Sequence, residues 1–181
     1  MVPIVLASAS PRRRELLKEI FPEFEVLPSD VDEDALTVPD PRETAKLLAE
    51  AKAKKIAEVR PDALVIGSDT VVAVGSQQLA KPKDIQEAVE MLTLLSGKTH
   101  QVITGVSLVH GEKIDTQADT THVTFRDLTH EEIEAYVKTG EPMDKAGAYA
   151  IQGGAKGFVT NVAGSVSNVI GLPLELLRKM L

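Results

Sequence analysis

The sequence predicts a mixed α/β fold, helices flanking a sheet that is not wholly parallel. Short strand-type apolar runs, such as 4–7, 63–66 and 102–109, alternate with segments whose apolar residues recur at helical spacing. Gly75-Ser76 then separates two strand-type stretches at hairpin distance, which a purely parallel sheet with long crossovers does not accommodate. The 181 residues, 43% of them hydrophobic, suffice to bury a sizeable core and are expected to form one domain spanning 1–181.

Each element follows from local pattern. Residues 4–7 form the first strand and Ser8-Ala9-Ser10 turns the chain. Ser10 then caps a helix whose first position Pro11 pre-sets, with Leu16, Leu17 and Ile20 as its apolar stripe. Residues 24–27 read as a short strand, and 28–34, PSDVDED, as an acidic loop. That loop lacks the glycine and terminal Glu of a calcium-binding loop. Asp40-Pro41-Arg42-Glu43 opens a helix running to about residue 59, with Ala45, Leu48, Ala49, Ile56 and Val59 on one face.

Strand-type residues 63–66 and 71–74 flank Gly67-Ser68-Asp69-Thr70, where Gly67 suggests a bulge or a close backbone approach. Leu79-Ala80-Lys81-Pro82 leads to a helix capped by Asp84, carrying Ala88, Met91, Leu92 and Leu95 and ending at Gly97. Residues 102–109 read as a central strand and 122–125, which alternate, as a half-exposed one. Thr129 and Glu132 form a capping box whose helix stops at Gly140. A strand over 158–162, a turn at Gly164 and a helix from Pro173 complete the chain.

Composition narrows the function classes. A net charge of −7 argues against a surface that coats a polyanion, and scarce aromatics with no Trp leave few platforms for stacking bases, so no nucleic-acid polymer is expected as partner. Absence of Cys excludes disulfides, thiol catalysis and thiolate metal sites. No apolar run approaches the ~18–20 residues of a membrane span and no leader pattern opens the chain. A cytoplasmic protein without a membrane partner is the expectation.

Four local oddities point to chemistry. Arg12, Arg13 and Arg14 crowd the first turn of a helix, where the backbone dipole disfavours each cation by roughly 0.3–1 kcal/mol. Successive residues point about 100° apart, so the three do not serve one purpose. An anion held there, with Ser8 and Ser10 beside it, makes sense of the cost; a solvated turn balanced by Glu15 and Glu19 is the plainer reading. Lys52 is centred on the apolar stripe of its helix and must snorkel, pair with a carboxylate, or meet a ligand; snorkelling is the commonest outcome.

Asp69 interrupts two apolar runs, a costly position unless it is paired or metal-bound, and is the leading general base or metal ligand. The alternative is a turn-stabilising Asp. Residues 144–154, DKAGAYAIQGG, hold too many small side chains for an ordinary helix; either the backbone approaches a ligand closely or the loop is simply flexible. The acidic loop either faces a metal ion or the arginines, or is solvated, and Lys81 reads equally as a surface residue.

Taken in order, LASASPRRRELL, the Glu33 region, SDTVV, AKP, LSGKTHQVITGV, DKAGAYAIQG and NVIGLPLELL resemble the Maf family of nucleoside triphosphate pyrophosphatases over nearly the whole chain. The resemblance implies an elongated mixed β-sheet flanked by helices with a central cleft, a fold of the Maf/ITPase-like kind. It also implies commonly a homodimer, a divalent cation (Mg²⁺ or Mn²⁺) and cleavage of a nucleoside triphosphate between its α- and β-phosphates.

It assigns Asp69 as proton acceptor and Ser8, Arg13, Glu33, Lys52 and Lys81 as phosphate- or metal-facing groups; Ser10, at the helix mouth, joins Ser8 and Arg13 as a phosphate-binding candidate. Glu33 and Asp69 are its metal-facing carboxylates, and Arg12, Thr70 and Gln152 its base-selecting residues. Pro11 before Arg12, together with Gln152 rather than Glu, resembles the branch acting on dTTP and UTP rather than the branch preferring 7-methyl-GTP. Two other readings differ in class: a non-catalytic nucleotide-binding regulator of septum formation, and a house-cleaning enzyme for modified pyrimidine nucleotides. The role of Arg14 is not assigned.

Overall fold

A computed structural model describes residues 1–181. Strand β1 (Ile4–Leu6) leads into α1 (Pro11–Leu17), and β2 (Glu25–Val26) and the one-turn α2 (Glu33–Leu36) precede the long α3 (Pro41–Val59). Next come the hairpin of β3 (Leu64–Val74) and β4 (Gln77–Leu79), α4 (Ile85–Leu95), and the long pair β5 (Thr99–His110) and β6 (Lys113–Phe125). Then follow α5 (His130–Lys138), three short 3₁₀ turns, β7 (Val159–Ala163), α6 (Val166–Ile170) and α7 (Leu174–Met180). The sheet runs β2-β1-β3-β5-β6-β7, with β4 also on β3. β1 is parallel to β2 and β3 and every other pairing is antiparallel, so the sheet is mixed.

The helix starts are local chemistry. Ser10 accepts from the Arg13 N–H, Asp40 from Arg42 and Asp84 from Glu87. At α5 the capping box is complete, Thr129 and Glu132 each accepting the other's N–H. Alternation along β3 then sorts its side chains. Val65, Gly67, Asp69 and Val71 face α3, whereas Ile66, Ser68 and Thr70 face the opposite side, where Ile66 packs with Leu17, Leu172 and Leu177.

Helix α3 lies close against the sheet because glycine permits it. A Cβ at Gly67 would come within 2.8 Å of the Ala53 Cβ, and one at Gly105 on β5 within 2.9 Å of the Lys46 nitrogen. Gly67 therefore marks a close approach and no bulge, since β3 pairs with β5 unbroken from Val65 to Ala73.

Other boundaries differ from expectation. The two runs around Asp69 are one strand, and β6 begins at Lys113 rather than 122 because pairing with β5 carries its polar half. The acidic loop ends at Asp32, which caps α2. Val59 is exposed in the last turn of α3, and α6 is an additional single turn capped by Ser165.

His100 is enclosed between the rings of Phe125 and Tyr149, with Nε2 2.7 Å from the Tyr149 hydroxyl and Nδ1 without a partner. Burial pulls its pKa down to about 4. The unfolded chain therefore takes up this proton first as pH falls. Stability should hold above pH 6.5 and drop by roughly 2 kcal/mol between pH 6.5 and 5. Denaturant unfolding across that window checks it, and His100→Gln should flatten the slope. Gly105→Ala should cost about 1–3 kcal/mol, because the added methyl meets backbone rather than a yielding side chain. A denaturation midpoint unchanged from the parent would refute the close-approach account.

Candidate active site

β1 pairs with β3 only as far as Ile66, and β4 joins the same edge only from Val72. Between them β3 has no strand neighbour on that edge, and there a cleft of about 320 Å³ opens, within the range of small-ligand pockets. Its walls come from the turn after β1, the segment 29–33, α3, the bare edge of β3, the residues after β4, and the loop 144–152. Ser8, Ser10, Arg12, Arg13, Glu33, Lys52, Asp69, Thr70, Lys81 and Gln152, ten residues drawn from six stretches of sequence, all line it.

Lys52 neither snorkels nor hangs free. Its Nζ lies 2.5 Å from Asp69 Oδ1 and 3.4 Å from Glu33 Oε1. Lys52 and Asp69 are nearly enclosed, with side chains 13% and 11% exposed, whereas Glu33 on the rim helix α2 is half exposed. Asp69 Oδ2 makes no hydrogen bond to protein. Asp69 is thus a strand carboxylate held by one oxygen and free at the other, not a turn-stabilising residue.

On the opposite face of β3, Arg13 is held by neutral groups. Nε donates to the Gly171 carbonyl (2.7 Å) and Nη2 to the Thr70 hydroxyl (2.9 Å), while Nη1 is 3.4 Å from Ser8 Oγ. No carboxylate stands at ion-pair distance. Burial lowers the guanidinium pKa from its ordinary value, and only the more distant Asp69 and Glu33 oppose that. Even half-buried, a cation without a counter-ion is unfavourable, and an anion in the cleft would supply one.

Thr70 bonds in turn to Thr104 Oγ1 (2.9 Å), whose own proton goes to the Asn168 carbonyl (2.9 Å). The Thr70 proton is therefore committed to Thr104, and Thr70 offers the cleft only an acceptor. Thr104 escaped the sequence reading; its signal was cross-strand register with Thr70, which pairing alone reveals.

Arg12 turns into the cleft towards Asp144, whereas Arg14 points to solvent outside it. Lys81 and Gln152 are exposed on the rim, with no protein partner. Within 144–154, Gly147 and Gly154 have a cause that neither expectation named. A Cβ at Gly147 would crowd Val72 (2.9 Å), and one at Gly154 the Tyr136 ring (2.9 Å). These glycines admit neighbouring protein, and the loop is packed rather than loose.

Nowhere do three or more His, Asp or Glu side chains converge as a metal cage. Glu33 and Asp69, both within reach of one ammonium, make a two-carboxylate donor set. That set suits a magnesium-type ion, which takes one or two carboxylates and completes its shell with water and phosphate oxygens.

A family model described as Maf-like protein matches residues 3–181. Proteins named dTTP/UTP pyrophosphatase from Desulforamulus reducens and Bacillus cytotoxicus are each 47% identical over 100% of this chain, covering 96% and 95% of their own lengths. One of that name from Thermococcus kodakarensis is 47% identical over 98% of this chain and 94% of its own. Among solved structures, the Staphylococcus aureus Ham1 protein is 19% identical with a TM-score of 0.54, covering 98% of this chain and 97% of that one. A HAM1 protein from Coxiella burnetii is 15% identical with a TM-score of 0.50, covering 99% and 98%. At those identities the likeness concerns the α/β fold.

Lys52→Met should leave Asp69 without its partner and cost roughly 1–3 kcal/mol, less than a fully enclosed pair because the cleft admits water. Adding Asp69→Asn should restore most of the lost stability. Chemical denaturation of the two single variants and the double variant measures the coupling. Simple additivity would mean that the pair carries no interaction energy.

Proposed function

The chain belongs to the Maf family, and from that membership we propose that it hydrolyses dTTP and UTP to the monophosphate and pyrophosphate. The observation that carries the reading is Arg13, a half-buried guanidinium held by hydroxyls and a backbone carbonyl with no carboxylate at ion-pair distance. A triphosphate supplies the missing negative charge, and Ser8, Ser10, Arg12, Lys52 and Lys81 line the same cleft. The names of the relatives support both the reaction and the pyrimidine substrates.

Asp69 is the general base. Lys52 fixes Oδ1, which leaves Oδ2 to take a proton from a water molecule. The oxygen so freed attacks phosphorus as the anhydride bond between the α- and β-phosphates breaks, and pyrophosphate departs. Arg13 and Lys81 offset the charge that builds on the phosphate oxygens. Glu33 and Asp69 would hold a divalent cation, Mg²⁺ or Mn²⁺, whose chemistry is to neutralise phosphate charge and polarise the phosphoryl group.

Gln152, with Arg12 and Thr70, selects the base. Uracil and thymine present an N3–H donor between carbonyl acceptors, and a carboxamide both accepts and donates against that edge. Thr70, with only an acceptor to offer, suits an N3–H and not the unprotonated N3 of cytosine.

With Mg²⁺ or Mn²⁺, dTTP or UTP should yield the monophosphate and pyrophosphate, and Asp69→Asn should lower kcat by about 10²–10⁴-fold with binding largely kept. Chromatography of the products decides; a nucleoside diphosphate with orthophosphate as first products would sink the reading, and a protein that binds without turnover would be a regulator. Gln152→Glu, which loses the amide donor and adds a charge, should reduce dTTP turnover by about tenfold or more. Steady-state rates on dTTP, UTP, CTP and 7-methyl-GTP test this. An unaltered preference for dTTP and UTP would remove Gln152 as the reader.

A further inference from the structure

The side chain of Gln152 has no protein partner, so everything that aims it comes through its backbone. The Gly153 N–H donates to the Ala150 carbonyl (3.1 Å), closing a four-residue turn with Gln152 at its third position. Two side chains outside the cleft hold this turn from behind. Tyr136, buried on α5, accepts the Ala150 N–H at its hydroxyl (3.0 Å), and Glu141 accepts the Gly154 N–H at Oε2 (3.0 Å).

These anchors lie two residues before and two residues after Gln152. Glu141 is itself tied down, its carbonyl accepting from Lys145 Nζ (2.9 Å) and its N–H donating to Thr139 Oγ1 (3.2 Å). The chain between the anchors fits against them with no room to spare: a Cβ at Gly153 would strike the Glu141 carboxylate, and one at Gly154 would lie 2.9 Å from the Tyr136 ring. Burial and the neighbouring Glu141 carboxylate push the Tyr136 phenol well above its ordinary pKa. Its hydroxyl stays protonated and presents a lone pair to the Ala150 N–H.

We infer that Tyr136 and Glu141 are positioning residues for base selection: together they clamp both ends of the Gln152 turn, so that its side chain leaves the backbone from one place and in one direction at the cleft rim. Neither lines the cleft. The inference rests on the reading of Gln152 as the base-selecting residue. On an unclamped turn the backbone would shift, and the carboxamide would reach the base at varied distances and heights, bonding the displaced polar groups of cytosine as readily as those of uracil. The clamp thus acts on the difference between two substrates more than on the rate with either.

The test compares kcat/KM for UTP and CTP in Tyr136→Phe, Glu141→Ala, Glu141→Gln and Gln152→Ala, with melting temperatures and amide hydrogen exchange over residues 150–154. Tyr136→Phe and Glu141→Ala should each lower the UTP:CTP ratio by about five- to tenfold, the worth of one hydrogen bond. They should also raise KM for UTP more than they lower kcat, and speed exchange at Ala150 and Gly154. Glu141→Gln keeps an acceptor for the Gly154 N–H and should retain the ratio within about threefold.

If Tyr136→Phe and Glu141→Ala depress both substrates alike, with the ratio intact while Gln152→Ala lowers it, the clamp is overturned and Gln152 remains the reader. If Gln152→Ala also leaves the ratio intact, base reading by Gln152 fails and the clamp fails with it.

Discussion

The ion pair between Lys52 and Asp69 is the contact on which the cleft depends. It joins helix α3 to the bare edge of β3 across 2.5 Å, with both side chains nearly enclosed. A pair so placed is costly to desolvate and contributes little net stability; its value lies in the geometry it enforces. Neither residue reaches the other unless α3 lies almost on the sheet. Gly67 and Gly105, opposite the carbonyls of Ala49 and Ala45, allow that approach. The two glycines and the ion pair are one device, the first setting the distance and the second using it.

The sheet decides where that device faces. Because β1 stops at Leu6 and β4 ends at Leu79, opposite Val72, the middle of β3 is left without a neighbour on one edge. Asp69 leaves this edge on the α3 side and Thr70 on the other, the ordinary alternation of a strand. A cleft lying along the edge therefore receives two different environments from adjacent residues. One is a carboxylate braced by an ammonium; the other is a hydroxyl chained to Arg13 and Thr104. Two chemically different walls thus come from a single dipeptide.

The far wall follows a different physical rule. Where Asp69 is held by charge, Gln152 is held only through backbone hydrogen bonds to Tyr136 and Glu141, and the chain around it is small because protein presses against it. Small residues in a loop are easily taken for flexibility or for ligand approach. Here Gly147, Gly153 and Gly154 record packing density.

What the sequence determined by itself is whatever depends on neighbours a few residues away. The caps at Ser10, Asp40, Asp84 and Thr129, the hairpin at Gly75 and the apolar stripe of α3 are short-range chemistry, and each stands where the pattern indicates. The oddities were legible too: Arg13 in a helix's first turn, Lys52 on an apolar face and Asp69 inside a strand are costly alone, and a cost without local recompense signals a distant partner. The partner itself lay beyond reach. Lys52 finds Asp69 17 residues away, Arg13 finds Thr70 57 away and Gly171 158 away, and Thr104 matters only through its register with Thr70. Periodicity and capping say which side chains are out of place, because those forces act within a turn or two. Which groups come to satisfy them is decided only when the sheet pairs, since strand register and helix docking set distances that sequence separation does not encode.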